Sequence, residues 1–116
     1  MSFVTLYHNP RCSNSRGVLE IIRAAGIEPD IVEYLDTPPD AATLRHLLAA
    51  MGLSVRGLMR EKEAPYAELE LSNPKWSEDD LIEIMCAHPV LINRPIVVTP
   101  KGTRLCRPPE RVAELL

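Results

Sequence analysis

The chain has no Cys-x-x-Cys pair, and its three cysteines, Cys12, Cys86 and Cys106, are an odd number. A two-thiol redox motif and a full structural disulfide framework are thereby excluded. It has no apolar run of about 18 residues, so no membrane span is expected. The N-terminal stretch "MSFVTLYHN" lacks a basic region followed by a long apolar one, so no secretory leader is expected and the cytoplasm is the expected address. A basic excess is missing too. The net charge is −3, from 13 basic and 16 acidic residues, which argues against nucleic acid as a partner. Lysine is scarce, three against ten arginines. Arginine grips planar oxyanions with two N–H groups at once, although codon usage alone also produces such a bias.

What remains is an ordinary globular composition, 46% apolar and 25% charged over 116 residues. That length supports one domain, 1–116, able to build a core without disulfides or metal. "FVTLY" reads as a strand from Phe3 to Tyr7, broken by Asn9-Pro10. A helix is expected from Ser13 to Ala25, with Val18, Leu19, Ile21, Ile22 and Ala25 at helical spacing and Gly26 as its stop. "DIVEYL" is a second strand, which completes a parallel βαβ unit.

A helical insertion then runs over about 40–88. Its first helix, "DAATLRHLLAAMG", presents Leu44, Leu47, Leu48 and Met51 on one face and ends at Gly52. Its last, "SEDDLIEIMCAH", opens with Ser77 three residues before Asp80, the spacing of a capping box with Asp in place of Glu. Beyond Pro89 the pattern turns β again: "RPIVVT", a tight "PKG" turn, the returning strand "TRLCR" and a closing helix "PPERVAELL". The order βαβ, helical insert, ββα predicts an α/β thioredoxin-like fold, a four-stranded mixed sheet flanked by helices.

Cys12 falls just past the first strand and just before the first helix, in "YHNPRCSNSRGVLEIIRAAG". Open α/β folds bind ligands at that end of the sheet. Unpaired backbone N–H groups and the helix dipole there lower a thiol's pKa and attract anions. His8, Ser13, Asn14 and Ser15 offer hydrogen bonds, and Arg11 and Arg16 offer charge. A buried inert cysteine is the competing reading and fits poorly in so polar a loop. A cysteine phosphatase loop needs an arginine where Val18 stands, and Arg16 comes too early. Zinc is not expected: His8 and Cys12 are split by Asn9-Pro10, and Cys86 and His88 have no second pair. His46 and His88 read as surface or capping residues. Arg60, Arg94 and Arg107 are the candidate oxyanion grip. Arg94 stands directly before Pro95, and in a thioredoxin-like layout the residue before the third strand faces the start of the first helix.

"YHNPRCSNSR", "YLDTPP", "LMREKEAPY" and "HPVLINRPIVVTPKGTRLCRPPE" closely resemble the glutaredoxin-coupled arsenate reductases of bacteria, in order and over nearly the whole chain. The resemblance implies that Cys12 is the nucleophile, that Arg60, Arg94 and Arg107 bind arsenate, and that His8 and Ser15 help keep Cys12 ionised. It implies that Pro95 is the cis-proline beside the active cysteine. It also implies no tightly bound cofactor, with glutathione as co-substrate and glutaredoxin as partner. Cys86 and Cys106 then read as structural. The longer family members continue past "RVAELL". Two other readings stay open: a glutathione-dependent thiol reductase with another substrate, and a regulatory binding protein of Spx type, against which the missing second cysteine weighs.

Overall fold

The computed structural model describes residues 3–116; Met1 and Ser2 of the expected 1–116 domain lie outside the described residues. The chain divides into two compact units, one of Met1–Thr37 with Arg94–Leu116 and the other of Pro38–Asn93.

The first unit is built on β1 (Thr5–Tyr7), α1 (Ser13–Ala24), β2 (Asp30–Val32), β3 (Ile96–Thr99) and β4 (Gly102–Leu105). The sheet is mixed and runs β2-β1-β3-β4, with β1 parallel to β2, antiparallel to β3, and β3 antiparallel to β4. This is the expected thioredoxin-like arrangement. Its β-branched centre follows from position. Ile96 and Val97 of β3 are both buried, as residues of a central strand covered on both faces must be. Val4, Leu6, Val18, Ile22, Val97, Cys106, Val112 and Leu115 form the core of this unit. Val18 and Ile22 sit one helical turn apart and bury the same face of α1. Truncating Ile22 to alanine there would cost about 2–5 kcal/mol.

Register decides where the chemistry falls. Tyr7 is paired with Ile96, and Ile96 with Leu105. The carboxyl end of β1, the start of β3 and the carboxyl end of β4 therefore coincide. The segments that follow or precede them, His8–Cys12, Arg94-Pro95 and Cys106-Arg107, emerge together at that end. The Cys106 N–H extends the ladder there by donating to the Pro95 carbonyl at 3.0 Å. The Arg94-Pro95 peptide bond is cis, as the resemblance implies, and Arg107-Pro108 is cis as well.

The second strand and the closing helix differ most from expectation. "DIVEYL" is a strand only to Val32, because the chain then turns on the Glu33 carbonyl, which accepts from Asp36 N at 2.9 Å and Thr37 N at 3.0 Å. The closing segment is a 3₁₀ helix over Pro109–Leu115 rather than an α-helix. Its buried residues Val112 and Leu115 are three apart. Three residues make one 3₁₀ turn, so the tighter winding puts both into the core. The helix lies close on α1: a Cβ added at Gly17 would come within 3.3 Å of Pro109 Cγ.

The second unit holds α2 (Ala41–Met51), α3 (Val55–Leu58), α4 (Ala64–Glu68), α5 (Glu78–Ala87) and a 3₁₀ turn at Pro89–Leu91. Asp40 caps α2 by accepting from Thr43 N at 2.7 Å, and Gly52 closes it at φ 68°, a left-handed conformation that glycine adopts without strain. The expected capping box on α5 forms, with Ser77 Oγ accepting from Asp80 N and Asp80 Oδ2 accepting from Ser77 N, each at 3.1 Å. Leu44, Leu47 and Leu48 of α2 and Leu81, Ile82 and Met85 of α5 are buried. Among the described residues no helix is long and apolar enough to cross a membrane.

Candidate active site

Cys12 is the N-cap residue of α1, with φ −92° and ψ 124°. A Ser, Thr, Asp or Asn usually occupies that position, using an oxygen to satisfy the first free N–H groups of the helix. Here no side-chain oxygen does so, and the backbone N–H groups of Ser15 and Asn14 act on the sulfur instead. Cys12 is buried, with 7% of its surface exposed. Burial pushes the thiol's pKa up. The Ser15 N–H, the Arg94 charge, the Asn14 N–H and a hydrogen bond from the Arg94 side chain together outweigh it, so the net shift is downward. A thiol whose pKa is lowered ionises more readily than a free cysteine.

The loop before Cys12 is tied to the helix after it. Cys12 N donates to the Asn9 carbonyl at 3.0 Å, and Arg11 N donates to Asn9 Oδ1 at 3.0 Å. Ser15 Oγ is buried, accepts from Asn9 N at 3.1 Å and lies 2.6 Å from His8 Nδ1. Burial lowers the His8 pKa, Glu33 opposing and Arg23 adding to the effect, so the imidazole is neutral at pH 7. His8 thus engages Ser15 as a neutral partner. Arg11 and Arg16, expected to add positive charge, are exposed, and the charge that reaches the sulfur is that of Arg94.

Arg107 is brought to the same end by the β3–β4 hairpin. Its Nη1 donates to the Arg94 carbonyl at 3.1 Å. Its Nη1 and Nη2 also lie 3.0 and 3.1 Å from the Asn14 side-chain oxygen, in the amide orientation that gives both groups a partner. Of the candidate residues, Cys12, His8, Ser15, Arg94 and Arg107 belong to the first unit. Arg60 belongs to the second. It forms an ion pair with Glu63, Nη2 to Oε1 at 3.2 Å, and its N–H donates to the Leu91 carbonyl at 2.8 Å.

The other thiols are not activated. Cys106 is fully buried in the core, and burial pushes its pKa up to about 11. Burial and then Glu83 raise that of Cys86. His46 is exposed, and His88, also exposed, closes α5 as its C-cap. Among the described residues no group of His, Cys, Asp and Glu is placed to hold a metal ion. Reading the sequence missed Asn14 as more than a loop donor. The signal was there in "CSNS": the second helical residue after an N-cap has both a free N–H and a side chain at the helix mouth.

A thioredoxin-like sheet with a thiol of lowered pKa at the first helix, and arginines beside it, defines a cysteine-dependent oxidoreductase or oxyanion-handling protein. The chain belongs to the ArsC family, whose profile matches residues 7–115. It is 57% identical over 116 residues to an arsenate reductase of Escherichia coli (strain K12), covering 100% of this chain and 82% of that one. A protein of the same strain described as the uncharacterized protein YfgD is 51% identical over 114 residues, covering 97% of this chain and 96% of that one. The solved structure of an arsenate reductase from Vibrio cholerae superimposes with a TM-score of 0.93 at 46% identity, covering 97% of each chain.

Proposed function

We propose that the chain is an arsenate reductase in which Cys12 is the nucleophile and glutathione and glutaredoxin supply the remaining thiols. The observation that carries this reading is Cys12 at the N-cap of α1, at the end of the sheet where the strand register brings Arg94 and Arg107. The high identity to arsenate reductases points to the substrate.

Arsenate is a tetrahedral oxyanion, charged like phosphate at neutral pH. A thiolate approaching it brings negative charge onto negative charge, and arginines at the meeting point lower that barrier most where charge accumulates. Cys12 sulfur forms a bond to arsenic, and one arsenate oxygen leaves as water after taking up protons. The arsenic is still pentavalent in this adduct. Glutathione thiolate then attacks the arsenic, and a second oxygen leaves as water. Glutaredoxin thiolate attacks the glutathione sulfur, so that a glutathione–glutaredoxin disulfide forms and the arsenic–sulfur electron pair stays on arsenic, now trivalent. Water displaces it from Cys12 as arsenite and returns the Cys12 thiol. External thiols are required because Cys106 is buried in the core with its proton held tightly, and Cys86 is likewise disfavoured as a thiolate. Arg94 and Arg107 grip the oxyanion. For Arg60, an oxyanion-binding role is what the family resemblance implies. His8 and Ser15 fix the loop that presents Cys12. No tightly bound cofactor is part of this reading, and the cytoplasm, with its reduced glutathione, is the compartment it needs.

The test is NADPH oxidation coupled through glutathione reductase, with purified protein, glutathione and glutaredoxin present. Oxidation that starts on adding arsenate and stops when glutaredoxin is left out is the expected result. Absence of arsenate-dependent oxidation, with the coupling enzymes active on a mixed-disulfide control, would reject the reading. It would leave a thiol reductase with another substrate.

A further inference from the structure

Four groups close a circuit at the mouth of α1. Arg94 acts on the Cys12 sulfur, Arg107 Nη1 donates to the Arg94 carbonyl at 3.1 Å, and Asn14 faces Arg107 through its side chain while its own backbone N–H serves Cys12. Within that circuit the Asn14 side chain has one partner, the Arg107 guanidinium, met at two nitrogens 3.0 and 3.1 Å away. An oxygen between the two terminal nitrogens of a planar guanidinium fixes the plane as well as the position of the group. Together with the Arg94 carbonyl it holds Arg107 by three contacts, and rotating the guanidinium breaks them all.

The geometry points to Asn14 as a positioning residue that fixes the plane of Arg107 for capture of the oxyanion. It deepens the arsenate reductase reading and rests on it. A long, flexible arginine otherwise loses side-chain entropy when it orders around a ligand, and pre-ordering removes part of that cost. The role is separable from the thiol. Every residue but proline supplies the same backbone N–H at position 14, so a side-chain variant alters the arginine and spares the sulfur's own hydrogen bond.

The experiment compares wild type, Asn14→Ala, Arg107→Ala and the double variant. Two quantities are measured: the arsenate concentration that half-protects Cys12 from iodoacetamide, and KM and kcat in the coupled assay. Asn14→Ala is expected to raise the half-protecting concentration and KM about tenfold, the loss expected for charge-assisted contacts of this kind. Its kcat and the pH midpoint of Cys12 alkylation stay near wild type. In the Arg107→Ala background the same change adds nothing, because the group it positions is gone. Equal effects of Asn14→Ala in both backgrounds, or no effect in either, would overturn the inference while leaving arsenate reduction intact.

A substrate-free readout separates the two failures. The Arg107 Nε–H signal in ¹⁵N-resolved spectra, assigned by its loss in Arg107→Ala, is expected to be sharp in wild type and broadened or shifted in Asn14→Ala. An unchanged signal overturns the positioning role even if arsenate does not bind. If arsenate fails to protect wild-type Cys12 but the signal responds as expected, the substrate assignment falls and the Asn14–Arg107 coupling stands.

Discussion

His8 Nδ1 and Ser15 Oγ lie 2.6 Å apart, joining the last residue before the cysteine loop's Asn9-Pro10 turn to the first turn of α1. Both residues are buried, and the same Oγ accepts from Asn9 N at 3.1 Å. The hydroxyl is thus the clasp of a loop whose ends must stay together for Cys12 to sit on the helix mouth. Ser15→Ala leaves a buried imidazole nitrogen and a half-buried N–H without this partner, at about 1–3 kcal/mol for each group left unsatisfied. The expected outcome is a lowered unfolding midpoint in urea together with reduced activity. Alkylation of Cys12 should still occur with a midpoint below that of an ordinary thiol, because the Ser15 backbone N–H survives the change. A variant as stable as wild type would show that the clasp is not needed.

The pH dependence of Cys12 follows from its surroundings. Burial alone would raise its pKa, yet the helix N–H groups and Arg94 lower it below the ordinary thiol value. The thiolate, the reactive form, therefore becomes populated at a lower pH than in a free cysteine. Iodoacetamide alkylation of wild type should reach half its plateau rate below the midpoint of a cysteine peptide. In Arg94→Ala the charge and the side-chain hydrogen bond go while burial stays, so the midpoint moves up. A midpoint that does not move would mean that the helix N–H groups alone set the thiol. The same sign applies to folding. A depressed folded-state pKa contributes stability above the unfolded thiol's pKa, and that contribution is lost as pH falls through the folded value.

The sheet and the first helix were legible because their signals are local. β-rich apolar runs bounded by turn residues mark β1 and β3, and apolar spacing closed by Gly26 and Gly52 marks α1 and α2. The site was legible as far as Cys12 at the helix start, since strand-then-helix order alone puts it at the ligand end of the sheet. Register was not. The Tyr7–Ile96–Leu105 alignment that brings Arg94 and Arg107 to Cys12 comes from pairing between distant segments. Arg11 and Arg16 are closer in sequence, yet they are exposed. Proximity along the chain is a poor guide to which charge a buried sulfur feels. The closing segment is 3₁₀ where its spacing predicts α, for a similar reason. Three-residue and four-residue spacings share most of their apolar positions, and packing against α1 decides between them.

Cys12 and Cys106 provide a paired control. Cys12→Ser is expected to remove arsenate-dependent NADPH oxidation and keep the fold, since a hydroxyl suits an N-cap position. Cys106 lies in the core, its Sγ 3.7 Å from the Arg104 carbonyl. Serine there would place a hydroxyl among apolar neighbours at about 1–3 kcal/mol, so alanine is the cleaner probe of chemistry. Cys106→Ala should retain kcat in the coupled assay at the cost of some stability. A Cys106→Ala protein that folds but cannot turn over would mean that a second thiol of this chain takes part in the reaction.

The family resemblance implies that Arg60 binds the oxyanion, while its observed partner is Glu63. The pair is only partly exposed, 22% for Arg60 and 29% for Glu63, so the carboxylate holds the guanidinium with less solvent screening than a surface pair would have. If Arg60 binds the oxyanion, Arg60→Ala should raise KM for arsenate by about tenfold or more and leave the pH midpoint of Cys12 alkylation unchanged. Arg60→Lys should recover only part of the loss, because an ammonium keeps the charge but not the planar fork. If Arg60 instead serves its own helical unit, both variants should lower the unfolding midpoint and leave KM at the wild-type value. The ratio of KM change to stability change therefore tells an oxyanion-binding arginine from a structural one.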